Sequence, residues 1–117
     1  MQEFLEFLLD LIYLKSRKRG PLVFMIDIHD QHVHLTLENK GKRKIAFAAA
    51  RCQDGNGKQH FPSVDLAAGT VLHPGRPETL RIAASELRSL GCQRLAVLDT
   101  TGHAWAVEGF DGTALGT

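Results

Sequence analysis

The chain has 117 residues, with 14 Lys and Arg against 13 Asp and Glu, and 44% of its residues are hydrophobic. This length and composition are typical of one globular domain, residues 1–117, that buries its own core. A net charge of +1 without a long basic tract excludes a protein whose main task is to neutralise nucleic-acid phosphates. We therefore expect no nucleic-acid partner.

The two cysteines, Cys52 and Cys92, form no C-x-x-C motif and have no Cys/His set beside them. This spacing indicates neither a disulfide framework nor a zinc finger. The sequence therefore predicts reduced thiols and a cytoplasmic protein.

Residues 2–18 are predicted to form a helix, because polar residues recur every three or four positions on an otherwise apolar cylinder. Acidic residues begin this segment, basic residues end it, and Gly20-Pro21 stops it. The acids Glu3, Glu6 and Asp10 interrupt the apolar run, and positive charge follows it rather than precedes it. We therefore expect neither a membrane span nor a secretory signal.

This helix carries more apolar surface than one sheet face can cover. The pattern predicts contact with a second copy of the chain or with a protein partner, and the alternative is a groove within the same domain. Attachment to a membrane surface is a weaker alternative, because the polar stripe is mainly acidic. The predicted contact residues are Phe4, Phe7, Leu8, Leu11 and Ile12.

The segments 22–28 and 32–38 are predicted to form two strands of a hairpin, because apolar residues alternate or dominate in both. A third strand is expected over 43–51, reached through a turn at 39–42. The first half of the chain is therefore predicted to be a three-stranded antiparallel meander.

Turn residues dominate 53–76, where we expect a long loop with one short strand at 70–72. A loop of this length is either functional or conceals a short strand near 64–66. Pro77 and Glu78 are predicted to open a second helix that ends at Leu90, before Gly91.

Further strands are predicted over 94–99 and 104–110, joined by a turn at 100–103 and followed by a fraying tail, 111–117. The predicted fold class is α+β. We expect an N-terminal helix and about five mostly antiparallel strands in one sheet, with the helix 77–90 packed on a sheet face.

One group of residues suggests chemistry. If the first hairpin turns at Asp30-Gln31, Asp27 lies opposite His34, and His29 lies opposite His32, on one polar face. Three imidazoles and a carboxylate are a plausible ligand set for Zn²⁺ or a similar ion. The alternatives are an ordinary polar sheet face, or a three-residue turn that scatters these side chains.

The other polar motifs favour plain structural roles. His60, His73 and His103 are expected at the surface, and the segment at 54–57 is a turn rather than a calcium loop. No phosphate-binding glycine motif is present, so nucleotide cofactors are not expected.

The sequence therefore favours a small non-catalytic interaction module that forms a homodimer through its N-terminal helix. The alternative is a metal-binding protein or small metal-dependent hydrolase that uses His29, His32 and His34. In that case Asp27 is the fourth ligand or orients a ligand, and the loop 53–76 closes over the site. The sequence does not decide whether the chain is an enzyme.

Overall fold

The computed structural model of the protein describes residues 21–115. This part of the chain is mostly β and contains two sheets and one short helix. Its elements are β1 (Leu22–His29), β2 (His32–Asn39), β3 (Ile45–Asp54), β4 (Gln59–His60), β5 (Val71–Leu72), β6 (Glu78–Ala83), α1 (Ala84–Leu90), β7 (Cys92–Asp99) and β8 (Ala104–Ala106).

The predicted α+β class with one sheet is wrong, because the strands divide between two sheets. The first sheet has the order β1-β2-β6, and the second has the order β4-β3-β7-β8, with β5 also paired to β3. The predicted N-terminal helix lies outside the described residues. Between residues 21 and 115, no helix is long and apolar enough to cross a membrane.

The first hairpin is confirmed, but the predicted meander is wrong, because β3 leaves for the second sheet. The cause lies at Asn39, which is fully buried. Its side-chain amide donates hydrogen bonds to the backbone oxygens of Arg43 (2.6 Å) and Leu72 (2.9 Å). The turn is also packed tightly, since a Cβ added at Gly41 would lie 2.7 Å from the Cβ of Pro21. Asn39 thus redirects the chain out of the first sheet.

The predicted helix over 77–90 is also wrong in its first half, where Glu78–Ala83 form strand β6. Leu80 and Ile82 are fully buried, while Thr79 and Arg81 between them are exposed. This alternation has the period of a strand, and β6 pairs with β2 along its whole length. Pairing with β2 therefore outweighs the helical signal of Pro77.

The end of the second helix is confirmed. Gly91 adopts a left-handed conformation, with φ 69°, and its N–H donates to the backbone oxygens of Arg88 and Leu87. Such a conformation favours glycine, which has no Cβ to clash with the preceding turn.

The second sheet contains the strands predicted at 94–99 and at 104–110, although β8 stops at Ala106. The short strand expected at 70–72 is confirmed as β5, whereas β4 was not expected. No strand forms at 64–66. The tail is more ordered than predicted, because Gly112–Leu115 form a 3-10 turn, and the Arg88 side chain donates to the Leu115 backbone oxygen at 3.1 Å.

The core is formed by the apolar inner faces of both sheets together with α1. Its largest fully buried apolar side chains are Phe47, Leu35, Leu37, Leu72, Leu80, Ile82, Leu87, Val33 and Val97.

The expectation of reduced thiols is wrong in this structure, because Cys52 and Cys92 form a disulfide. Their Cα atoms are 5.6 Å apart, within the usual range for a disulfide. The pairing of β3 with β7 brings them together, a long-range contact that their separation in the sequence did not reveal.

Candidate functional site

The predicted turn between the first two strands is confirmed. Asp30 and Gln31 both have positive φ angles, 53° and 62°, as a two-residue type I′ turn requires. The register follows the predicted pairing along the whole hairpin, with Asp27 opposite His34 and His29 opposite His32. A three-residue turn is therefore excluded.

The alternation of β2 separates two faces. Its apolar residues, Val33, Leu35 and Leu37, are fully buried, whereas His32, His34 and Thr36 are partly exposed. We call the polar surface formed by Asp27, His29, His32 and His34 the histidine face.

Two of the three imidazoles each have one ring nitrogen in contact with an oxygen. The Nδ1 of His29 lies 3.1 Å from the Asp27 carboxylate, and the Nδ1 of His32 lies 2.8 Å from the backbone oxygen of Asp30. A backbone oxygen only accepts hydrogen bonds, so the Nδ1 of His32 must carry the proton, which leaves its Nε2 with a free lone pair when the ring is neutral.

The third imidazole contacts both of the others. The ring of His34 stacks on that of His29, with centroids 4.0 Å apart and an angle of 13° between the planes, and it meets the ring of His32 edge-on at 6.2 Å. The Nε2 of His34 is buried and has no hydrogen-bond partner among the described residues. Buried ring nitrogens are usually hydrogen-bonded, so this atom is an exception.

The predicted metal ligands therefore share one face, but their nitrogens do not converge. The lone pairs of imidazole lie in the ring plane. Because the rings of His29 and His34 are stacked and nearly parallel, their lone pairs lie in two separate planes and do not meet at one point. Accordingly, no group of three or more His, Cys, Asp or Glu side chains between residues 21 and 115 is arranged to hold a metal ion.

The sequence did not predict the ion pair that borders the histidine face. Arg81, opposite His34 on β6, donates through both its backbone N–H and its Nε to the Asp65 carboxylate, each at 2.7 Å. The hydrogen bond from the Arg81 side chain is the main cause of a lowered pKa of Asp65. Part of the loop 53–76 is thus attached to β6, which could not be predicted without knowing that 78–83 is a strand.

The remaining histidines have separate surroundings. His60 is hydrogen-bonded to the Asp54 carboxylate at 3.0 Å, and this bond is the main cause of a lowered pKa of Asp54. The other carboxylate oxygen of Asp54 accepts from the backbone N–H groups of Asn56 and Lys58, which confirms the predicted turn. His103 is exposed and contacts the ring of Trp105, with the centroids 4.2 Å apart.

A second feature lies at the edge of the first sheet, where β1 pairs only with β2 in the described part of the chain. Its inward side chains become more exposed along the strand, from Leu22 at 3% through the partly buried Phe24 and Ile26 to Ile28 at 39%. We call this surface, Phe24, Ile26 and Ile28, the β1 flank. The predicted contact residues Phe4, Phe7, Leu8, Leu11 and Ile12 lie outside the described residues.

Comparisons with known proteins give no family assignment. No protein-family model matches the chain, and no curated protein is similar enough in sequence to count as a relative.

Proposed function

We propose that this protein is a small non-catalytic interaction module that forms a homodimer through its N-terminal segment, residues 1–20. The observation that carries the proposal is the β1 flank, an apolar strip at a sheet edge that the described residues leave partly open. Natural proteins normally cover or blunt such edges.

The position of the β1 flank supports this proposal. Residues 1–20 join the described chain at Pro21, directly before Leu22, so the apolar N-terminal segment and the β1 flank are neighbours along the chain. Both are rich in apolar residues, and contiguous apolar surfaces mark association sites. In a two-fold dimer, the same apolar strip of each subunit would lie in the interface.

Sedimentation velocity on two charged variants tests the proposal. Leu8→Glu places a charge on the predicted apolar face, and Ile28→Lys places one at the open end of the β1 flank. We expect both to weaken the dimer by at least about tenfold in Kd, since a buried unpaired charge is costly. Tyr13→Glu, on the predicted polar stripe, is the matched control and should dimerise like the unchanged chain. Equal behaviour of all three variants would refute the proposed surface.

The predicted cytoplasmic location requires reduced thiols, whereas a stable disulfide is rare in a reducing compartment. Alkylation of thiols in intact producing cells, followed by intact mass measurement, distinguishes a reduced cytoplasmic chain from a disulfide-bonded one. A cytoplasmic protein should carry two alkyl groups, whereas none is expected if Cys52 and Cys92 are joined.

A further inference from the structure

We propose that the histidine face is a binding site for one borderline divalent transition-metal cation, such as Zn²⁺, held by the Nε2 atoms of His29, His32 and His34. This site is independent of the dimer surface, because its side chains lie on the opposite face of β1 and β2 from the β1 flank.

The hydrogen bonds of His29 and His32 select the ring nitrogen that is left to bind a metal. A metal-bound imidazole usually uses its other nitrogen to donate to a carboxylate, a backbone oxygen or water, which orients the ring. His29 and His32 show this arrangement, with Nδ1 held by the Asp27 carboxylate and by the Asp30 backbone oxygen. Their Nε2 atoms are thus the ones left to bind a metal.

The Nε2 of His34 is buried and has no hydrogen-bond partner between residues 21 and 115. A metal ion supplies the partner that this nitrogen lacks. The His34 ring contacts both of the other imidazoles, so the three proposed ligands are neighbouring side chains.

Metal binding requires the imidazoles to rearrange. At the least, the His29 ring must rotate out of its stack on His34. The His29 side chain is 50% exposed, so solvent surrounds much of the ring and it has room to turn.

The surrounding charges favour a cation. The carboxylates of Asp27 and Asp30 both lie within 4 Å of His29 nitrogens. The one cation opposite His34, Arg81, is engaged by Asp65 at 2.7 Å. Three imidazoles with an open fourth position match the ligand number of zinc sites that retain a water molecule.

Calorimetric titration with Zn²⁺ alone tests the site. We expect one ion for each unchanged chain, and a loss of affinity of at least about 100-fold in His32→Ala and in His34→Ala, because even a residue that only orients a ligand contributes about 10- to 100-fold. The matched controls, His73→Ala and His103→Ala, remove imidazoles elsewhere and should retain the affinity of the unchanged chain.

A second measurement needs no variant. In the imidazole NMR spectrum of the unchanged chain, Zn²⁺ should shift the Nε2 signals of His29, His32 and His34 and leave those of His60, His73 and His103 in place. Removal of Zn²⁺ with a chelator should reverse these shifts. The proposal is overturned if no signal shifts at a stoichiometric amount of Zn²⁺, if all six shift alike, or if His34→Ala binds as tightly as His103→Ala.

Discussion

Asn39 shows how one polar side chain directs the path of the chain. It is fully buried, and its amide and carbonyl groups are bonded to the backbone of Arg43, Leu72 and Gly41. Buried backbone groups that lose a partner are costly. Asn39 is therefore the main link between the end of the first sheet and the start of the second.

Asn39→Ala should lower the free energy of unfolding by about 3 kcal/mol, since it removes a buried hydrogen-bonding group and leaves its partners unsatisfied. Urea unfolding measures this change. Asn56→Ala, in an exposed turn, is the matched control and should leave the unfolding midpoint unchanged. A similar small effect of both substitutions would contradict the role given to Asn39.

Asp99 holds the turn between β7 and β8. Its carboxylate accepts hydrogen bonds from the backbone and hydroxyl of Thr101, the backbone of His103 and the indole of Trp105. Burial alone would raise the pKa of Asp99, but these hydrogen bonds outweigh it and hold the pKa below its ordinary value. The ionised form of Asp99 is thus favoured in the folded protein.

Asp99→Asn should therefore destabilise the protein at neutral pH by about 2 kcal/mol. A lowered pKa means that this stabilisation is fully present above the ordinary aspartate value of 3.8 and is lost as the pH falls further. In unfolding experiments between pH 6 and pH 2, the gap between the unchanged chain and the variant should narrow below that value. A gap that stays constant with pH would show that the charge of Asp99 does not matter.

Among the secondary-structure elements, the sequence predicts those that depend on neighbouring residues better than those that depend on distant contacts. The first hairpin and its register follow from the alternation of β2 and from the position of its turn, so the sequence predicted which residues share the histidine face. The orientation of the rings could not be predicted, because it depends on contacts such as that between His29 and Asp27.

The features that the sequence did not predict depend on pairing between strands that are far apart in the chain. β6 was predicted as helix because Leu80, Ala83, Ala84 and Leu87 match a helical stripe, although Leu80 and Ile82 also match a strand. The pairing of this segment with β2 selects the strand over the helix, and this pairing is not visible in the local sequence. The Cys52–Cys92 contact depends in the same way on the pairing of β3 with β7.

The disulfide should contribute substantially to stability, because it closes a loop with a sequence separation of 40 residues. The loop-entropy model gives about 4 kcal/mol for a loop of this size. Unfolding in urea with and without dithiothreitol measures the difference.

The double variant Cys52→Ser/Cys92→Ser is the control for side effects of the reductant. It should have the lower stability of the reduced protein and show no response to dithiothreitol. Equal stability of the unchanged chain with and without reductant would show that the disulfide contributes nothing to the free energy of unfolding.

For the whole molecule, the proposed dimer links stability to concentration. Association that accompanies folding raises the unfolding temperature as the protein becomes more concentrated. We therefore expect the Tm of the unchanged chain to rise over a hundredfold increase in concentration, and that of Leu8→Glu to be lower at each concentration. A Tm of the unchanged chain that does not depend on concentration would contradict the dimer.

Native mass spectrometry of the full, untagged chain, purified without chelator, measures the number of subunits in one spectrum. If the chain forms the proposed homodimer, the spectrum should show twice the mass of the 12.9 kDa chain at low micromolar concentration. A single-chain mass that persists to high micromolar concentration would contradict it.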